Sequence, residues 1–328
     1  MHRAIKTITA SLAGLALLAG SALAQGKPEK IDITIGLPVT TSTFLPIYLA
    51  QEEGLFKEQG LNVKIVAFHG GTDLVRAVIA GSVDVGATAL AGITLGIAAG
   101  QPIKVFYGGF NMGVFDWYAV PSVKSMADTK GKRFGVSRLG SSTDFLTRYA
   151  LRISGVDPKS VQVVQGGASM SRLAAMAAGQ LDVNILAPPE KFIAADKGYN
   201  LVFRQTQIAP DYPFHAFFAT EKFLTANPNT VKAMLRGLVK GIRLAKADKA
   251  RSLKVLEDYV KIDKKYAGRT YDDFIGKIYE DGRLPSDKGM DTFWKIGMMS
   301  GQYKEPWPKS RYLDPTFIDS YNQWKPAK

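Results

Sequence analysis

Apolar and polar positions along the chain fall into two similar series. The first opens on an apolar, β-branched run, Ile31 to Leu37, followed by a loop of small hydroxyl residues, Thr40-Thr41-Ser42-Thr43. Leu45, Tyr48, Leu49 and Phe56 then keep one face at helical spacing, and Gly54 and Gly60 punctuate that helix. Leu61 to Phe68 reads as a second strand. His69-Gly70-Gly71-Thr72 opens a second helix, Ala80-Gly81 closes it, and Val83-Asp84-Val85 is a short third strand.

The second series repeats this grammar. Arg133 to Ser137 is a strand, Gly140-Ser141-Ser142-Thr143 its small-residue loop, and Phe145, Leu146, Tyr149, Ala150 and Ile153 share one helical face. Gly155 ends that helix, Val161 to Val164 is a strand, Gly166-Gly167 a turn and Ala178-Gly179 the next helix end. Leu181-Asp182-Val183 answers Val83-Asp84-Val85, Phe134-Gly135 answers Ile35-Gly36, and Arg172 answers Arg76. Matches in the same order read as an internal duplication.

Each copy is a β-α-β-α-β unit, and right-handed crossovers make each a parallel sheet covered by helices. The expected fold class is α/β, with two lobes, a hinge and a cleft between them. Ligands of such sheets gather at the carboxyl ends of strands, where the two hydroxyl loops sit. The extended runs Lys104–Phe110, Phe115–Val120 and Pro213–Thr220 are read as the crossings between lobes. Residues 25–111 and 213–328 are assigned to lobe 1, and 112–212 to lobe 2. Beyond Glu221 the pattern is helical. Asn227-Pro228 is a helix start, and Val231, Met234, Leu235, Leu238, Ile242 and Ala245 form an apolar stripe. Lys232, Arg236, Lys240, Arg243 and Lys246 occupy the other side, which reads as a solvated face.

The amino terminus changes the picture. Arg3 and Lys6, a mostly apolar or small run from Thr7 to Leu18, and Ala22-Leu23-Ala24 before Gln25 form a signal-peptide pattern over residues 1–24. Cleavage is expected after Ala24, with export to the periplasm. That compartment makes nucleic acid an improbable partner. The net charge of +13 favours encounter with anions, and it also serves solubility. The absence of cysteine removes disulfides, thiolate nucleophiles and thiolate metal ligands, and three histidines make a zinc site improbable. No cofactor or metal is expected, and the chain is taken as a monomer.

The candidate ligand-binding residues lie at the loop-to-helix junctions. Helix starts leave backbone N–H groups unpaired and carry a partial positive charge, both of use to an oxyanion. Thr40, Thr41, Ser42 and Thr43 serve one lobe; Ser141, Ser142 and Thr143 serve the other, with Arg138 as a bidentate clamp. His69, Gly71, Thr72 and Thr88 mark further junctions of the first lobe, and Ala187 follows the last strand of the second copy. Trp117 and His215 are the expected cleft-lining rings near the crossings. The same hydroxyls could serve only as helix caps. No catalytic residue is assigned: a Gly-x-Ser-x-Gly elbow, a Walker loop and a His-Glu-x-x-His motif are all lacking.

Leu45-Pro46-Ile47-Tyr48-Leu49-Ala50-Gln51-Glu52-Glu53-Gly54-Leu55-Phe56 resembles the first helix of the nitrate/sulfonate/taurine-type solute-binding proteins, a group that includes thiamine-pyrimidine-synthase-like proteins. Gly70-Gly71-Thr72 through Gly86, Lys130 through Val136 with Gly140-Ser141-Ser142-Thr143, and Ala219 through Leu224 with Asn227-Pro228 resemble its later segments. The resemblance runs from about Ile31 to Ala245. It implies a type II periplasmic binding protein fold whose hinged lobes close on a ligand. It also implies a role in an ABC importer, with a small anionic ligand and the permease transmembrane subunits as partners. Sulfonate-binding members often carry a tryptophan where this chain has Leu186-Ala187-Pro188, and pyrimidine-synthase members use a cysteine-rich segment. A same-fold enzyme of the pyrimidine-synthase type and a ligand-sensing domain remain the alternatives.

Overall fold

The computed structural model describes residues 26–327, so the expected signal segment and its cleavage point lie outside the described residues. The first lobe opens with β1 (Asp32–Leu37), α1 (Leu45–Glu52), β2 (Asn62–Ala67), α2 (Gly71–Ile79), β3 (Val85–Thr88), α3 (Leu90–Ala98) and β4 (Ile103–Asn111). The second contains β5 (Asp116–Ala119), β6 (Arg133–Val136), α4 (Ser142–Ile153), β7 (Gln162–Gln165), α5 (Ser169–Ala177), β8 (Val183–Leu186), α6 (Glu190–Asp196) and β9 (Asn200–Arg204). The chain then returns through β10 (Pro213–Thr220) into a helical tail. Its main helices are α7 (Glu221–Ala226), α8 (Pro228–Ala247), α9 (Lys249–Asp258), α10 (Lys264–Phe274) and α11 (Asp287–Met299).

The two sheets have matching topologies, β2-β1-β3-β10-β4 and β7-β6-β8-β5-β9. In each, three strands run parallel and a strand arriving from the other lobe inserts antiparallel beside the third. The repeated sequence features do the same physical job twice. The Asp84 carboxylate accepts the Thr34 N–H at 2.9 Å, and the Asp182 carboxylate accepts the Arg133 N–H at 2.9 Å. These carboxylates take N–H groups that a strand ladder would use, so the third strands start at Val85 and Val183, later than the pattern predicts. A Cβ on Gly36 would sit 2.3 Å from Leu74, and one on Gly135 would sit 2.0 Å from Asn184. Both matched positions therefore need glycine for close packing. The arginine match does not extend to environment: Arg76 is exposed, whereas Arg172 is fully buried.

The two crossings run side by side. The Met112 N–H donates to Tyr212 O at 2.9 Å, and the Gly113 N–H donates to Pro210 O at 3.1 Å. The tail covers the edge strand β4, with N–H groups of Gly108 and Gly109 donating to Gly282 O and Arg283 O at 2.7 and 2.9 Å. A covered edge offers no template for pairing with another chain.

Two expectations change here. The basic side of α8 is only partly a solvated face: Lys246 is exposed and Lys240 forms a surface pair with Glu58 at 2.6 Å, but Arg243 pairs with Glu280 at 2.8 Å and buried Arg236 donates to Gln59 at 2.7 Å. Neighbouring loops supply acceptors for these heads, which periodicity alone cannot show. The tail also touches both lobes. Phe293 of α11 stacks on Phe145 of α4 at 5.8 Å between centroids, and Asp273 of α10 pairs with Lys191 of α6 at 3.0 Å. One apolar core accordingly runs through both lobes and the tail, with a smaller cluster around Tyr118, Leu173 and Leu186 in the second lobe.

Candidate functional site

Loops at the carboxyl ends of the strands face one another across the cleft and enclose a cavity of about 380 Å³. That volume lies in the usual range for small-molecule sites. Thr40, Thr41, Ser42, Gly71, Thr88, Ser141, Ser142, Thr143, Ala187 and His215 all line it. Sequence reasoning missed Val39, Ser137, Ser169, Arg172 and Glu190, the apolar surface of Phe115, Met170, Ile193 and Phe214, and the tail segment Val260–Asp263. The repeat carried a signal for Arg172, through its match with Arg76. For the tail segment there was none, because chain distance hides its position.

Six helical segments of the two lobes begin at this cavity, α1 through the 3-10 turn that leads into it, and none of these starts receives a side-chain cap; α10 of the tail, whose N-cap Asp263 also lines the cavity, is capped by that carboxylate. The N-cap positions are Phe44 for α1, which follows a 3-10 turn at Ser42–Phe44, then Gly70 for α2, Ala89 for α3, Ser141 for α4, Ala168 for α5 and Pro189 for α6. Gly70, Ala89, Ala168 and Pro189 have no side-chain acceptor. Ser141 has one but uses it elsewhere: its hydroxyl donates to Arg138 O at 2.7 Å and joins Ser137 and Thr143 at 3.0 and 2.8 Å. Ser142 stands outside that local network, with a half-buried side chain in the cavity wall.

Five predicted residues, Thr43, His69, Thr72, Trp117 and Arg138, do not line the cavity. Trp117 is fully buried within the second lobe, where its Nε1–H donates to Thr147 at 3.0 Å and its ring meets Phe203 edge-on at 5.5 Å. The pleat of β5 turns it toward α4 and away from the cleft. Arg138 clamps a carboxylate of the protein itself. Its Nε and Nη2 donate to Asp73 Oδ2 at 2.8 and 2.6 Å, tying the second lobe to α2 outside the cavity. His69 lines the same adjoining pocket as Arg138. Thr43 lies buried behind the wall, with its hydroxyl 3.2 Å from His215 Nε2. Thr72, in the first turn of α2, approaches Gly140 of the other lobe and does not line the cavity. On the cavity side the lobes meet through the Ser42 hydroxyl, which donates to Pro188 O at 2.9 Å.

Burial sets the protonation of the lining. His215 is stacked on Phe44 at 4.1 Å, and desolvation pushes its pKa down to about 3, so the imidazole is neutral. Desolvation pushes the Glu190 carboxyl up to about 7, against the opposing pull of its own backbone N–H and of Arg172. Arg172 itself is pushed down to about 10 by burial and stays charged at neutral pH. Its guanidinium donates to Gly167 O, Ser169 Oγ and Ile185 O, which fixes the turn leading into α5. Among the described residues no group of three or more histidine, cysteine, aspartate or glutamate side chains is placed to hold a metal.

Known proteins resemble this chain in sequence and in fold. A binding protein of Brucella abortus (strain 2308) is 28% identical over 327 residues, covering 94% of this chain and 97% of that protein. Two curated relatives match about half of each chain at 30% identity. One is the taurine-binding periplasmic protein of Escherichia coli (strain K12), over 152 residues, 45% of this chain and 46% of its own. The other is the 4-amino-5-hydroxymethyl-2-methylpyrimidine phosphate synthase of Uromyces fabae, over 164 residues, 48% and 46%. The structure of the alkanesulfonate-binding protein SsuA from Xanthomonas axonopodis pv. citri, bound to MOPS, superimposes with a TM-score of 0.71 at 20% identity, covering 87% of this chain and 96% of that one. It shows the same two-lobed periplasmic binding protein fold. Residues 41–251, most of the described chain and both hydroxyl loops but for Thr40, match the family model described as NMT1/THI5 like, and the chain belongs to that family.

Proposed function

We propose that this protein is the periplasmic solute-binding subunit of an ABC importer, and that it captures a small organic anion, a sulfonate, carboxylate or similar, without altering it. The observation that carries this reading is the convergence of six helix starts without side-chain caps on one cavity between the lobes. Unpaired N–H groups and the positive ends of helix dipoles attract negative charge, and the Ser and Thr hydroxyls add donors. Phe115, Met170, Ile193 and Phe214 give an apolar body somewhere to pack. A ligand touching both lobes favours the closed arrangement, in which Ser42 meets Pro188 and Arg138 meets Asp73. The closed monomer is then presented to the permease. The relatives that bind taurine and alkanesulfonate support the ligand class.

A second reading is an enzyme of the pyrimidine-synthase type. It draws on the Uromyces fabae relative and on Glu190, a cavity carboxyl poised near neutrality. A thermal-shift screen of sulfonates, carboxylates and nitrate against neutral and cationic solutes tests the anion reading. Organic anions should raise the melting temperature by mass action. A response confined to neutral or cationic solutes would sink it. Mass spectrometry of the bound compound after prolonged incubation separates the two readings, since a carrier returns it chemically unchanged.

A further inference from the structure

The segment between α9 and α10, Val260 to Asp263, lines the cavity together with Thr40, Thr41 and Ser42. Its two ends are fastened to different lobes. On the α9 side the Tyr259 ring stacks on Tyr48 of α1 at 4.5 Å, and Arg251 pairs with Glu53 at 3.0 Å. On the α10 side, Lys265 and Arg269 pair with Asp196 of α6 at 2.8 and 3.3 Å, and Asp273 takes Lys191 at 3.0 Å. Val260–Asp263 is thus a third connection between the lobes, in addition to the two crossings.

Lys261, inside this connection, has a backbone φ of 63° and is the one non-glycine residue with positive φ among the described residues. A residue with a Cβ is disfavoured there by crowding against its carbonyl oxygen. The surrounding anchors hold it in place. The Ile262 side chain is buried, its N–H donates to Leu256 O at 3.0 Å, and the Asp263 carboxylate caps α10 through the Lys265 N–H at 2.8 Å. Sparsely populated backbone conformations of this kind cluster at ligand clamps.

Charge gives an independent observation. Two cationic residues line the cavity, Arg172 and Lys261. The guanidinium of Arg172 is buried and committed to backbone carbonyls and Ser169. Lys261 is exposed, and its ammonium makes no hydrogen bond or ion pair among the described residues. Asp258, the acid that senses its charge, is already paired with Lys254 at 2.5 Å. Building on the anion reading above, we propose that Lys261 is a ligand-binding residue, delivered from the C-terminal tail, whose ammonium takes the anionic group of the bound molecule.

MOPS and taurine serve as probes, with binding to the full chain measured by isothermal titration calorimetry. Lys261→Asn removes the charge while keeping a residue that tolerates the left-handed region, and Lys261→Arg keeps the charge. The asparagine variant should bind whichever probe the unmodified protein binds about tenfold more weakly, the worth of one charge-assisted hydrogen bond. The arginine variant should retain most of the affinity. Asparagine binding within about twofold of the unmodified protein, or arginine losing as much as asparagine, overturns the proposal. A second measurement needs no substitution: a bound probe should slow acetylation of Lys261 severalfold relative to exposed Lys57, and equal rates overturn the proposal. If neither the probes nor other small organic anions bind the unmodified protein, the anion reading fails and takes this inference with it. Binding that ignores Lys261 sinks the inference alone.

Discussion

Lobe helices that begin at the cleft and helices of the tail are finished differently, even where a tail helix, α10, starts at the cavity itself. In the tail, Thr220 caps α7, Asp248 caps α9, Asp263 caps α10 and Ser286 caps α11, each accepting a backbone N–H from the first turn. The start of α8 is closed by a carboxylate from far along the chain: Glu29 accepts the N–H groups of Asn229 and Thr230 at 3.1 and 2.8 Å. The six cleft-side starts have no such cap. A side-chain cap contributes about 1 kcal/mol, so its omission at six neighbouring positions forgoes stability that the tail collects. The α8 start shows, within this same molecule, what an anion at a helix start looks like. On the anion reading, the lobes leave their cleft-side helix starts available for a bound ligand.

Giving a cleft-side start a cap of its own is the strongest way to break this contrast. Ala168 has extended backbone at the N-cap of α5, φ −63° and ψ 158°, and lines the cavity. Ala168→Asp should stabilise the ligand-free protein by about 1 kcal/mol in urea unfolding. It should also weaken organic-anion binding about a hundredfold, because like charges then meet in the site. Retained affinity would show that α5 plays no part in holding the anion.

Glu190 sharpens the contrast through pH. Its folded pKa is raised from 4.5 to about 7, so the unfolded chain ionises first. Stability is full below the unfolded value and is lost as pH rises through the folded one. Glu190→Gln should therefore be about 1–2 kcal/mol more stable than the unmodified protein at pH 8 and equal to it near pH 4. Anion affinity of the unmodified protein should fall several-fold as pH rises through about 7, and the variant's should stay flat. A pH-independent affinity in both would place Glu190 outside the ligand's field.

The smallest effect belongs to the periphery. Burial works to raise the Glu29 pKa, but backbone hydrogen bonds from Thr230 and Asn229 outweigh it and the net shift is downward. Its contribution is present above the ordinary carboxylate range and lost as pH falls through the lowered folded value. Glu29→Gln should cost about 0.5–1 kcal/mol at pH 7 and leave anion affinity unchanged. A change in affinity would mean that peripheral and cleft-side helix starts are coupled.

Local signals made the fold legible. Alternation, helical periodicity and glycine punctuation located both β-α-β-α-β units, because each unit buries its own apolar faces. The hydroxyl loops were legible for the same reason, since strand and helix ends fix where a loop must lie. Three kinds of fact were not legible. Trp117 and Arg138 carry the residue types of a binding site, but the pleat of β5 and the opposing Asp73 decide their directions. Asn227 carries a capping side chain, yet it donates to Phe223 O at 3.1 Å while distant Glu29 does the capping. Lys261 and Glu190 reach the cavity only through tertiary packing.

The strand order has a consequence for how the chain matures. β10 lies between β3 and β4, yet it follows every residue of the second sheet in the chain. The amino-terminal half therefore cannot complete its own ladder until residues 213–220 have emerged, whereas residues 116–204 contain every strand of theirs. Such long-range pairing is intrinsically slow, and an unfinished sheet with an unpaired β4 edge is prone to wrong partners. Newly made chains should be most vulnerable to aggregation and proteolysis in the interval before β10 arrives, and a truncation just short of Pro213 would hold them there.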